Sequence, residues 1–159
     1  MAVSDYAGRN IDVLALRAQP GDAEAALEQT LFGNNPGEVC TGIIKLSQRW
    51  VLEFLTLAGS MPFLPKRGTD FVRAVQFSWL HTEADVQTQF NFGAALVRQN
   101  LLTEETENTP DDERLKTATL TRIGITPAAL ILTVSLLSRA GELRDVLLPV
   151  TVAPVAPDL

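Results

Sequence analysis

Few residues in this chain could do chemistry, and each has a plain structural use beside the chemical one. Glu53 and Asp70 could divide general-acid and general-base work, as glycoside cleavage requires of two carboxyl groups flanking the scissile bond. Their spacing sets no distance between them. Glu53 is better explained as a solvated helix residue and Asp70 as a cap or loop acceptor. A second group, Glu104, Glu105, Glu107, Asp111, Asp112 and Glu113, suggests calcium by its density. It lacks the alternating ligands and central glycine of a calcium loop, so it reads as a solvated connection. His81 is the only histidine and Cys40 the only cysteine. That count excludes an intrachain disulfide, a cysteine-rich zinc site and a multi-histidine metal site. His81 stands beside Thr82 as a surface or capping residue, and Cys40 reads as a small buried apolar side chain. No nucleophile elbow, dinucleotide fingerprint or phosphate loop occurs. The residues therefore predict no catalytic group, no cofactor and no metal, and such quiet chemistry points toward assembly.

The elements that must position these residues are legible from periodicity. Asn35-Pro36-Gly37-Glu38 carries a cap acceptor, a proline at the first helical position and an acid three residues after the cap. Val39, Ile43, Leu46, Trp50, Phe54 and Leu57 then recur at three- and four-residue spacing, predicting a helix to about Ala58 with Gly59 as its stop. Residues 59–70 hold two prolines and two glycines, a loop of fixed shape in which Met61, Phe63 and Leu64 are the expected apolar anchors. Asp70 to Leu80 is apolar and aromatic and suits a short helix or turn. Thr82-Glu83-Ala84-Asp85 has the start signature of a second helix. Val86, Phe90, Val97 and Leu101 follow at helical spacing, and Gly93 and Ala94 leave room for a close neighbour.

After the acidic stretch the period becomes two. Thr117, Thr119, Thr121 and Ile123 fall on one side of a strand and Ala118 and Leu120 on the other. Leu130, Leu132, Val134 and Leu136 mark a second strand, and Val146, Leu148 and Val150 a third, giving an antiparallel meander. At the other end, Gln19-Pro20-Gly21-Asp22 suits a turn. Residues 23–32 contain helix formers, but that turn favours an N-terminal hairpin. Residues 1–10 read as a loose arm and 153–159 as a disordered tail. The fold class is α+β, with two main helices packed on a small antiparallel sheet.

The chain has 159 residues, which suits a single domain spanning 1–159. Its net charge is −6, which repels phosphate and argues against a general nucleic-acid binder. The longest uncharged stretch, between Arg122 and Arg139, contains Gly124 and Pro127. It is shorter than the roughly 20 apolar residues that a membrane helix needs. No secretory signal is visible, so an intracellular origin is expected.

One stretch resembles a known family. Thr41-Gly42-Ile43-Ile44-Lys45-Leu46-Ser47-Gln48-Arg49-Trp50-Val51-Leu52-Glu53-Phe54-Leu55-Thr56 is a helix ending in a Leu-Thr run. Gly59-Ser60 and then Pro65-Lys66-Arg67-Gly68-Thr69-Asp70-Phe71 come after it. This layout is similar to the baseplate wedge proteins of contractile-tailed phages, also called the sheath-initiator or lysozyme-related wedge family. The resemblance covers roughly residues 35–152. That family commonly has a Glu-Pro-Arg triplet before its first meander strand. Here the matching place reads Asp112-Glu113-Arg114, with the acid and the arginine kept and the proline replaced.

The resemblance implies a non-enzymatic virion component, assembled in the host cytoplasm and seated in the tail baseplate. Its implied partners are other wedge proteins, the tail sheath protein and the tail tube, with no nucleic acid and no membrane. Asp112, Glu113 and Arg114 would be interface residues, Arg114 pairing a partner's carboxylate or carbonyls. Gly68, Thr69 and Asp70 in the loop would join them. Sheath contact would use strand addition at a meander edge. The alternatives are a small muramidase-like peptidoglycan hydrolase working through Glu53 or a nearby carboxylate, and a tail completion or adaptor protein.

Overall fold

A computed structural model describes residues 9–14, 16–17, 28–29, 39–126 and 129–151. Its element order is β1 (Asp12–Val13), β2 (Leu16–Arg17), β3 (Glu28–Gln29), β4 (Val39–Cys40), α1 (Gly42–Leu55), α2 (Phe71–Gln76), α3 (Glu83–Glu104), a 3-10 turn (Asp111–Glu113), β5 (Leu115–Ile125), β6 (Ala129–Ser138) and β7 (Leu143–Thr151). The class is α+β, with a C-terminal three-stranded antiparallel meander ordered β5-β6-β7. The antiparallel pairing of β2 with β3 fits the N-terminal hairpin. The turn residues 19–22, the cap residues Asn35–Glu38 and the tail 153–159 lie outside the described residues, as do residues 1–8 of the arm.

α3 starts where its local signal says. The Thr82 hydroxyl accepts from the Asp85 backbone N–H at 3.1 Å, and Asp85 Oδ2 accepts from the Thr82 N–H at 2.9 Å. This reciprocal capping box satisfies donors that the first helical turn leaves open. α1 starts later than the sequence suggests. Val39 and Cys40 are strand, paired antiparallel with Val13 and Asp12. The Asn35-Pro36 signal is local, whereas that pairing joins distant parts of the chain and wins as tertiary context. The helix opens at Gly42, whose φ of +63° suits glycine.

The two main helices and α2 form an aromatic layer over the inner face of the sheet. Trp50 and Phe54 stack at 4.8 Å between centroids, and Phe54 also meets Phe71 and Phe90 at 4.9 and 5.4 Å. Gly93 faces Phe54: a Cβ there would lie 2.8 Å from the ring, so the neighbour for which the sequence leaves room is that phenyl group. Leu132, Val134, Leu136 and Leu148 fill the sheet face without exposure. Each such side chain contributes about 1.5–3 kcal/mol when fully buried.

Ile123 lies on the opposite face from the one its alternation predicts. It packs against the core together with Ala118 and Leu120, not beside the threonines. The register shifts between Leu120 and Arg122, where β5 bulges. One extra residue in a strand reverses the alternation beyond it.

The loop 57–69 is also held differently from expectation. Leu57 and Thr69 form a parallel bridge, and the N–H groups of Ala58 and Thr69 donate to Thr69 and Thr56 carbonyls at 3.0 and 2.8 Å. The loop is thus closed at its base by the backbone, as in compact surface loops. Its apolar residues are not anchors: Met61, Phe63 and Leu64 are exposed, Phe63 at 96%.

Candidate functional site

The polar groups of the helical side gather at the two ends of α1. At the N-terminal end stands Glu113, carried by the 3-10 turn and only 4% exposed. Its Oε1 accepts the Gly42 N–H at 3.2 Å and its Oε2 accepts Lys45 Nζ at 2.8 Å. A helix N-terminus offers unpaired N–H groups and the positive end of the dipole, so a carboxylate is favoured there. Thr41, the cap residue, makes no side-chain cap bond. A residue far along the chain supplies it instead. Lys45 also donates to the Asn10 carbonyl at 2.8 Å, and Arg9 Nη1 to Asp112 Oδ2 at 2.6 Å. Arg9 and Asn10, which the sequence assigns to a loose arm, are therefore tied to the helix and the 3-10 turn.

Arg114 faces the other way from Glu113. Its Nη2 donates to the Thr106 carbonyl at 2.8 Å, and its guanidinium lies 3.8 Å from Glu105 and 3.6 Å from Asp111. Arg139 reaches Glu105 at 3.6 Å, and the Arg139 N–H donates to the Arg114 carbonyl at 2.9 Å. The triplet Asp112-Glu113-Arg114 thus joins three regions of the same chain: residue 9, the start of α1 and the connection 105–111. That connection is less solvated than its composition implies, since Glu105 and Glu113 are both largely covered.

At the other end of α1 stands Glu53, expected as a solvated residue and found 4% exposed. Its Oε1 accepts the Gly68 N–H at 3.0 Å and Asn100 Nδ2 at 2.6 Å. Its Oε2 accepts Arg67 Nε at 2.6 Å. Arg67 also pairs with Glu104, which Arg49 binds in turn. The chain Glu53-Arg67-Glu104-Arg49 therefore fastens the loop to α1 and α3. Burial alone would raise the Glu104 carboxyl, but hydrogen bonds from Arg49 and Arg67 outweigh it and hold the group below its usual range. No sequence pattern marks Glu53, because its partners lie up to 47 residues away.

Gly68 and Thr69, two of the expected interface residues, are buried at this end. Gly68 has φ +86°, and a Cβ there would sit 2.5 Å from the Thr56 carbonyl oxygen. Thr69 Oγ1 donates to the Phe54 carbonyl at 2.6 Å. Asp70 is exposed and lies 3.1 Å from Arg73. Glu53 and Asp70, the conceivable acid-base pair, thus differ in setting: all close donors around Glu53 are structural, while Asp70 faces solvent.

Between the two ends lies a polar cleft of about 540 Å³ lined by Lys45, Arg49, Glu104 and Glu113 among others. Both signs of charge are paired within it. His81 is exposed and its N–H donates to Asp85 Oδ2 at 3.1 Å, in keeping with a capping position. Cys40 is 3% exposed, and burial pushes its thiol up to about 11. Among the described residues no group of three or more His, Cys, Asp and Glu could hold a metal ion. No described helix is long and apolar enough to cross a membrane.

The sheet side has a different character. No further strand pairs with the outer edge of β5 or of β7 among the described residues. β7 carries Pro149, which cannot donate to a ladder and is found on edge strands. β5 is eleven residues long, and positions 117–120 pair with β6 without a break in register. Comparison with known protein families, with curated proteins and with solved structures finds no match for the chain.

Proposed function

We propose that the chain is a structural wedge component of a contractile phage tail baseplate, which nucleates or anchors the sheath by accepting an extended arm at a meander edge. The observation that carries this reading is that the outer edges of β5 and β7 pair with no further strand among the described residues. An edge strand presents unpaired N–H and C=O groups that a partner strand can satisfy. The exposed apolar tip Met61–Leu64, raised on a base closed by hydrogen bonds, offers a second contact of fixed position. The triplet Asp112-Glu113-Arg114 serves assembly by holding the 3-10 turn that leads into β5, so its effect on partners passes through the position of that strand. Of the loop residues, Gly68 and Thr69 act in the same indirect way, and Asp70, exposed beside Arg73, is the one that can meet a partner.

Glu53 favours this reading over peptidoglycan hydrolysis. A general acid needs an oxygen that substrate can reach, and both Glu53 oxygens accept internal hydrogen bonds. The test is co-expression with wedge, sheath and tube proteins of a contractile tail, followed by size-exclusion chromatography. A stable complex with a wedge or sheath protein is the expected product. A chain that elutes alone beside every tail partner overturns the reading, as does peptidoglycan clearing that Glu53→Gln abolishes.

A further inference from the structure

The molecule carries an apolar projection near one end of α3 and an apolar hole near the other. The projection is the tip of the loop 57–69, where Met61, Phe63 and Leu64 are exposed. Pro62 and Pro65 bracket Phe63 and Leu64, and their fixed φ angles restrict the shape of the tip. The loop is fastened to the C-terminal part of α3, where Asn100 Nδ2 donates to the Lys66 carbonyl at 3.2 Å. The hole measures about 100 Å³ and is lined by Val75, Ser78, Leu80, Val86 and Leu130, with exposed Ile125 beside them. Phe77 and Trp79, which flank Ser78 in the chain, are exposed and stack on each other at 5.6 Å. Ser78 has φ +53°, the one non-glycine residue with positive φ among the described residues. Such conformations cluster at ligand clamps and active sites.

The two features match in size, chemistry and charge. A cavity of about 150 Å³ admits a six-carbon ring, so this smaller hole suits an aliphatic side chain such as Leu64. Phe63 beside it suits the stacked pair, because aromatic rings favour offset and edge contacts with one another. From Phe54 to Thr69 the chain holds no acid, and it holds Lys66 and Arg67. Lys66 is exposed. On the side of the hole, Leu80 and Val86 bracket Glu83 and Asp85 in the chain, the acids of the first turn of α3. Opposite charges at the margin of an apolar contact steer the encounter and fix its register. A molecule cannot fill its own hole. Val86 and Asn100 stand about 21 Å apart along α3, whereas Leu64 reaches only about 7 Å from the fastened Lys66.

We propose that the loop tip of one copy of this chain seats in the hole of the next, with Leu64 entering it, Phe63 against Phe77 and Trp79, and Lys66 facing Glu83. The two surfaces are different parts of the same chain. The contact is therefore heterologous and repeats head to tail, closing into a ring or growing as a filament. It needs no tail protein, so it stands or falls separately from strand addition at β5.

The experiment is sedimentation velocity of the purified full chain over a range of concentrations. A contact of this size is smaller than a standard interface and binds weakly, so the range extends to about 1 mM, where a millimolar dissociation constant registers. Species larger than dimers are expected as concentration rises. Trp79 emission should move to the blue as they form, over a constant background from the fully buried Trp50. Leu64→Asp in the tip and Ile125→Asp beside the hole should each weaken self-association about tenfold or more. Mixed together, the two variants should form a mixed dimer and nothing larger, because one keeps a sound hole and the other a sound tip. If Ile125→Asp fails to fold, Trp79→Ser serves as the hole variant. A parent chain that stays monomeric throughout the range overturns the proposal. So does self-association that survives both variants, and so does a mixture of the two variants that stays monomeric.

Discussion

On the helical side of this molecule, Glu53 and Glu113 are buried, yet each accepts a glycine N–H and a cation. On the sheet side, β5 and β7 end in backbone edges with no further strand among the described residues. The conspicuous charges are thus turned inward to hold the chain's own segments in place, whereas the outer strand edges offer backbone groups. Under the proposed assembly role, a charged motif would act by fixing a strand's position without touching the partner. Breaking the helical side should cost stability, whereas altering an outward-facing edge should cost association.

The largest effect is expected at Glu53. Glu53→Ala leaves Arg67 and Asn100 without their buried acceptor and frees the loop base. Removal of one partner from a buried charged pair costs about 3–5 kcal/mol. Urea unfolding should show this as a lower midpoint at unchanged slope. Glu113→Ala should cost less, about 1–3 kcal/mol, because Glu113 accepts two hydrogen bonds and Glu53 accepts three. A Glu113→Ala loss equal to or above that of Glu53→Ala would contradict this ranking of the two ends.

The pH dependence sharpens the same comparison. The Glu104 carboxyl is held below its ordinary range in the folded chain. The stability it adds is therefore fully present above the unfolded value, roughly pH 4, and is lost as pH falls through the lower folded value. Glu104→Gln should flatten the acid limb of a stability profile below about pH 4 while leaving the profile near neutrality little changed in shape. Cys40 gives the smallest test. Its buried thiol, raised to about 11, should stay unreactive toward a thiol reagent at a mildly alkaline pH until the chain is unfolded. Rapid labelling of the native protein would place β4 among the loosely held parts.

Legibility in the sequence depends on the range of each signal. The start of α3 is plain because Thr82 and Asp85 satisfy each other three residues apart. The meander is plain because alternation is local to each strand. The face of Ile123 is hidden by a bulge, which leaves no mark in an alternating run of threonines. The start of α1 falls later than its local cap signal because β4 pairs with residues near the N-terminus, and the burial of Glu53 is hidden because it depends on Asn100. Hydrophobicity alone marks Met61, Phe63 and Leu64 as anchors, and the loop instead closes through its backbone. The interface role of Asp112-Glu113-Arg114 comes only from the resemblance. Its intrachain partners are invisible in the sequence, Arg9 standing 103 residues from Asp112.

The most direct measurement compares two prolines on β5. Neighbouring residues of an antiparallel edge strand direct their N–H groups to opposite sides, and Ala118 and Thr119 lie within the regular stretch of register. One of Ala118→Pro and Thr119→Pro therefore removes a bond to β6, and the other removes a donor from the open edge. Thermal unfolding and co-purification with tail proteins should be measured on both variants. Strand addition at β5 predicts that the outward variant keeps its melting temperature near that of the parent and loses its partner. An outward variant that stays folded and still co-purifies with wedge and sheath proteins would contradict strand addition at that edge.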